Sequence, residues 1–247
     1  MTHLKHTFAL LACAVATTAA NAASVQITFD NPIFNGSGSD SVKITFANPG
    51  STGGTSTKSV AAGRFQGTAT NLVDVTPGIF FTDVDNVFMY CYDIYQNINP
   101  GQSLNYQIDL NAATTRTLDF IGAVNSVLGP NDPYAWLRNP TGAQGAAIQL
   151  GIWESKYDTG WDLASGDFKA TNLDQDTTTF WNLFKDALAT TDAVDSRYVM
   201  VLKNDQYQDM IAGDPPANDV PEPGTLALMG VALAGFAASR RRKQQAA

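Results

Sequence analysis

The apolar residues of this chain change their spacing once, and the change separates two kinds of structure. Along Ser24 to Phe29, Ser41 to Phe46 and Arg64 to Thr70, apolar and polar side chains alternate between Gly, Asn and Pro turns, the period of a half-buried β-strand. Gly53 to Ser59 reads as a loop or hairpin tip, and two further strands are expected at Asn86 to Tyr95 and Ser103 to Leu110, paired as a hairpin across Asn97 to Gly101. Beyond Thr115 the spacing becomes helical: Leu118, Ile121, Val124 and Leu128 recur at three to four residues and stop at Gly129-Pro130. A second helix opens on Thr141 with Gln144 three residues later, a capping-box pattern, runs through Ala146 to Lys156 and ends at Asp158-Thr159-Gly160. A third, from about Asp176 to Thr190, carries Phe180, Trp181, Phe184 and Leu188 on one face, and Arg197 to Lys203 follows as a strand. The expected class is α+β: a β-rich subdomain, sandwich or barrel-like, then a helical subdomain, with the late strand returning to the sheet.

Both ends read as addresses. Met1 to Ala22 combines Lys5, an apolar stretch from Phe8 to Val15 and the small-x-small site Ala20-Asn21-Ala22, so a secretory signal peptide is expected at 1–22, cut between Ala22 and Ala23 by signal peptidase. Leu10-Leu11-Ala12-Cys13 offers a competing lipoprotein reading, with few apolar residues ahead of the Cys. The folded body is placed at 23–211 and a spacer at 212–219. From 220 to 243 the chain shows Pro221-Glu222-Pro223, an uncharged apolar stretch from Thr225 to Ala238, then Arg240, Arg241, Arg242 and Lys243. Such a stretch is short against the ~20 residues of a stable span, and its basic cluster stays cytoplasmic. These three elements resemble the PEP-CTERM sorting domain of Gram-negative bacteria. That resemblance implies processing by the membrane protease exosortase, transient anchoring by the C-terminal helix, and delivery to the cell surface or extracellular matrix. An ordinary C-terminal anchor helix is the plainer alternative.

Removing these ends sharpens the composition. Five of the 15 cations and one of the 23 anions lie in them, which leaves 10 cations against 22 anions, a net charge of −12. A surface of that sign disfavours nucleic acid and anionic headgroups, so no nucleic-acid partner is expected and the membrane is met only through the C-terminal helix. Of the acids 21 are Asp, in turn and cap settings, but no run follows a calcium-loop pattern, and no metal or cofactor is expected. His3, His6 and Cys13 all fall in the leader, so the body keeps one Cys and no His. That composition excludes Ser-His-Asp and Cys-His catalysis, Cys/His zinc sites and any internal disulfide.

The remaining Cys91 sits in Phe88-Met89-Tyr90-Cys91-Tyr92-Asp93-Ile94. A lone exported thiol is buried and inert, linked to another chain, or chemically active. On the second helix, Gln149 stands among apolar residues with Ile152 and Trp153 at i+3 and i+4, and a buried amide without partners costs ~1–3 kcal/mol. Gln149 therefore either bonds a nearby backbone or pairs with Cys91, whose thiolate would attack the side-chain carbonyl, expel ammonia and close a thioester.

Tyr90-Cys91-Tyr92-Asp93 resembles the aromatic-Cys-hydrophobic-Asp/Asn motif of bacterial surface thioester domains, and Ile148-Gln149-Leu150-Gly151-Ile152-Trp153 resembles their hydrophobic-Gln-x-x-hydrophobic-Trp motif, in the same order. That family often has Ala where this chain has Gly151. The resemblance implies a Cys91–Gln149 thioester joining a β-rich and a helical subdomain, shielded from water by Trp153 and supported by Tyr90 and Asp93. It also implies covalent adhesion to surface amines (Lys, a polyamine or an amino sugar) by stoichiometric capture, so no enzyme activity is expected. The alternative is a non-covalent structural or carbohydrate-associated matrix protein with an inert Cys91 and a sugar platform drawn from Trp136, Trp153, Trp161 and Trp181. A hydrolase using Asp83 with Asp85, or Asp192 with Asp195, is a third reading.

Overall fold

The computed structural model describes residues 23–214, apart from 35, 50–52, 76 and 139. The readings of 1–22 and of 220–243, including Ala22, the Pro-Glu-Pro and the Arg cluster, lie outside the described residues. In chain order the elements are β1 (Ser24–Phe29), β2 (Ser39–Ala47), β3 (Thr55–Gly63), β4 (Phe65–Val73), β5 (Val87–Cys91), β6 (Ser103–Asp109), α1 (Thr115–Leu128), α2 (Gly142–Tyr157), β7 (Phe168–Thr171), α3 (Gln175–Ala187), β8 (Val199–Lys203) and β9 (Met210–Gly213).

Six antiparallel strands close a barrel in the order β1-β4-β5-β9-β8-β6. Alternation in β1 turns Val25, Ile27 and Phe29 into it, and Leu104 and Tyr106 of β6 and Met89 and Cys91 of β5 join the same buried cluster. Closure removes the unpaired edges that an open sheet presents. The expected α+β class holds, and the β part is a barrel. Its two last strands come from the far end of the chain, so the β-first, helix-second division is only approximate.

Several local readings are corrected. Of Gly53 to Ser59 only Gly53 and Gly54 belong to the loop of the β2–β3 hairpin, because Thr55 to Gly63 is a full strand paired to β2, and with β7 it makes a second sheet in the order β3-β2-β7. Polar Thr and Ser on its exposed face, with Ser56 and Lys58 on the half-buried one, conceal the strand in the sequence. β5 and β6 do not form a hairpin: β5 stops at Cys91 and lies between β4 and β9, while β6 lies between β1 and β8. β9 runs to Gly213, two residues into the stretch read as spacer.

Helix starts follow capping chemistry. The Thr141 hydroxyl accepts from Gln144 N at 3.3 Å while the Gln144 carbonyl accepts from Thr141 N at 2.8 Å, the reciprocal box expected. Thr114 and Asp174 cap α1 and α3 without the reciprocal bond, their side chains accepting from Thr117 N and Thr177 N. From Gly145 to Ser155 every residue of α2 is buried. A helix enclosed on every side belongs at the centre of its domain, and α2 lies between α1 and α3 on one side and β2 and β3 on the other. Any polar group on it must find its partners inside the protein.

Candidate functional site

The site forms where β5 ends against α2. β4 begins at Phe65, whose partner on β5 is Met89, so the ladder between them stops two residues short of Cys91. Side-to-side alternation points the Cys91 N–H and C=O toward that missing partner, while Tyr90 pairs with Ile211 of β9 and Tyr92 N donates to Asp209 O at 2.7 Å. The gap is filled by a side chain. Cys91 N donates to Gln149 Oε1 at 2.8 Å, and Gln149 Nε2 donates to Cys91 O at 2.8 Å. A primary amide has the donor and acceptor of a peptide group, and here it takes the place of the next residue of β4. Gln149 is 0% exposed and fully partnered.

The residues around this pair each make a defined contact. Asp93 O accepts from Trp153 Nε1 at 3.1 Å and from Gln208 Nε2 at 2.6 Å, and its carboxylate accepts from Asp209 N at 2.7 Å. Tyr90 lies on the other side of the strand, stacked on Trp136 at 5.7 Å with its hydroxyl donating to Trp136 O. Cys91, Trp153 and Gln208 line a cavity of about 240 Å³, which Gln149 does not reach. The structure thus brings Cys91, Gln149, Trp153 and Asp93 together, with Tyr90 supporting from behind. It also adds Gln208, which sequence reading missed because it lies just before the four-residue β9.

Burial governs the electrostatics. The Cys91 thiol is pushed well above its usual range by loss of solvent, with the Asp93 charge adding to the effect, so the resting sulfur is a neutral thiol. Asp93 is itself raised by burial, against the opposing hydrogen bond from Asp209 N. Among the described residues Cys91 has no disulfide partner. Among the described residues, no cluster of three or more His, Cys, Asp or Glu side chains is arranged to hold a metal ion.

Other candidates have structural roles. Trp136, Trp153 and Trp181 are at most 5% exposed. Trp161 has Arg116 over its ring at 4.1 Å and stacks on Phe120, so these four make no open sugar platform. Asp83 accepts from Asp85 N at 3.0 Å in a turn, and Asp195 caps a short 3₁₀ turn and pairs with Arg197. Gly151 has no room for a side chain, because a Cβ there would meet Phe120 Cζ at 1.9 Å: the ring fills the methyl's place.

Residues 219–242 match the PEP-CTERM protein-sorting motif. The chain therefore carries a C-terminal sorting signal of the exosortase type, which indicates an exported protein held transiently at the membrane before processing. No curated protein and no solved structure matches the chain. No helix among the described residues is long and apolar enough to cross a membrane.

Proposed function

We propose that this is an exported cell-surface or matrix protein in which Cys91 and Gln149 form an internal thioester that captures amines on a partner surface. It is a single-use covalent adhesin and not an enzyme. The observation that carries this reading is the hydrogen bond from Cys91 N to Gln149 Oε1 at 2.8 Å. That N–H polarises the carbonyl next to the thiol of the same residue, and it faces the oxygen on which negative charge develops during attack. The second bond, from Nε2 to Cys91 O, fixes the orientation of the departing group.

The chemistry balances without any further reagent. Sulfur bonds to the Gln149 carbonyl carbon, the C–N bond breaks, and the thiol proton leaves with the nitrogen as ammonia. In capture, an amine bonds to the same carbon, the C–S bond breaks, and the amine's proton returns to Cys91. Because the resting thiol is neutral, closure is expected to be slow and to speed up as pH rises.

A second reading rests on the same two bonds. Gln149 completes the β5 ladder, which is a sufficient structural reason for a buried amide at this place, and Cys91 is then an inert core residue of a non-covalent matrix protein. Intact mass separates the two. The thioester reading predicts purified protein one ammonia lighter than its sequence, with the deficit abolished in Cys91→Ala and Gln149→Ala and replaced by a methylamine adduct at Gln149. Full sequence mass in fresh protein, with Cys91 alkylated on unfolding, selects the structural reading.

A further inference from the structure

The cavity that exposes Cys91 has a charge pattern of its own. Its walls include Ile33, Ile44, Val60 and Phe65, and among the described residues Lys58 is its one ionised side chain and no carboxylate lines it. Lys58 Nζ lies 3.5 Å from Ile94 O, itself a wall residue, and 5.6 Å from the Phe46 ring centre. The carboxylate of Asp93, close in sequence to Cys91, accepts from Asp209 N at 2.7 Å. The side-chain amide of Gln96, oriented with its nitrogen toward that carboxylate, meets both oxygens at 2.9 and 3.1 Å. An amine that approaches the sulfur side of the Cys91–Gln149 bond through this cavity passes an apolar wall and one cation with no carboxylate beside it in the wall, inside a domain whose overall charge draws cations.

We propose that this cavity selects the captured amine: a primary amine on an unbranched aliphatic stem whose far end is neutral or anionic, as in a lysine side chain with acidic neighbours, in preference to a polyamine. The inference rests on the thioester reading above and deepens it. The apolar wall rewards the stem, by about three- to fourfold for each methylene buried. Lys58 repels a second ammonium at the stem's far end and attracts a carboxylate there. The net negative field of the domain raises the local concentration of all cations, and Lys58 discriminates among those that arrive.

The test measures the rate at which the ammonia-deficient mass is replaced by adduct mass, using methylamine, butylamine, 5-aminopentanoate and cadaverine at equal concentrations of unprotonated amine. Butylamine is expected to exceed methylamine by about thirty- to sixtyfold when its three further methylenes are buried, and 5-aminopentanoate to exceed cadaverine by about tenfold. Lys58→Met should bring the second ratio near one and leave the first, Lys58→Arg should restore it, and Lys58→Glu should invert it. Methylamine reacting fastest, or a cadaverine ratio insensitive to Lys58, overturns the selection while the measured deficit upholds the thioester. Protein with no deficit overturns both. A deficit that persists while Cys91 alkylates freely marks an amide from Gln149 to one of the chain's own amines; if Lys58 is the amine joined, Lys58 is a nucleophile and not a filter.

Discussion

Gln149 and Glu154 are five residues apart on the same helix, and both are 0% exposed, yet the protein treats them in opposite ways. Gln149 faces the barrel and has a partner for each of its polar atoms on the Cys91 backbone. Glu154 faces the loop after α2: Oε1 accepts from Asp162 N at 2.8 Å, and Oε2 has no partner. A neutral amide can substitute for a missing strand because it matches a peptide group in shape and polarity. A carboxylate in the same helix matches nothing so well, and burial raises its pKa to about 7. The barrel-facing amide of α2 is thus paired through both polar atoms, and the loop-facing carboxyl keeps one oxygen unpaired, at a lower cost when protonation removes its charge.

The largest effect should come from breaking the barrel end. Gln149→Ala removes both partners of the Cys91 backbone and leaves a cavity in the centre of the protein, a loss of ~3–5 kcal/mol by denaturant unfolding. A loss below ~1 kcal/mol would mean that water or a shifted β4 completes the ladder instead of the side chain. Between the two residues, Gly151→Ala drives a methyl into Phe120, which itself touches Trp161, Trp181 and Phe184. Overpacking of this kind costs ~1–3 kcal/mol. Phe120→Leu added to Gly151→Ala should recover part of it, and additive losses would show that the ring is not what forbids Ala.

The loop end should respond to pH and the barrel end should not. A buried carboxyl whose folded value lies above its unfolded value near 4.5 binds more protons in the folded state between about pH 4.5 and about pH 7. Its contribution is therefore most favourable below pH 4.5 and declines as pH rises through 7. Glu154→Gln keeps an acceptor for Asp162 N and removes the charge. It should stabilise the protein by ~1 kcal/mol at pH 8 and leave it unchanged at pH 4. A gain at pH 4 equal to that at pH 8 would place the cost of Glu154 in shape and not in ionisation.

The contrast also marks what sequence can and cannot show. The helices, the box at Thr141 and Gln144 and the strand character of Ser24 to Phe29 were legible because spacing and caps are local. Cys91 and Gln149 could be paired only through their resemblance to two motifs, but their environments were visible: a polar residue on an otherwise apolar helix and a lone Cys on a bulky strand. A barrel was one of the two β forms expected, and the strand at Arg197 to Lys203 was expected to return to the sheet, but the closing strand β9 was not legible, since it has four residues and meets β5 from about 120 residues away. β3 was hidden by its polar residues, and Lys58 was missed with it. Gln208 was missed because it lies just before β9.

The most discriminating effect should come from Trp153→Phe. The change keeps an aromatic ring but removes part of a buried indole together with the Nε1–H that reaches Asp93 O. Asp93 O keeps its bond from Gln208, so no buried carbonyl is left without a donor. The expected cost is ~1–2 kcal/mol, from one hydrogen bond and the space left behind. Water access is a separate matter, because Trp153 and Cys91 share the cavity wall and a ring no longer tethered to Asp93 can turn away from the sulfur. If the thioester forms, the ammonia deficit in Trp153→Phe should decay to a water adduct several-fold faster than in the parent, out of proportion to the small stability change. Equal decay rates would reduce Trp153 to a packing residue and leave closure of the Cys91–Gln149 bond to the cavity wall contributed by β3.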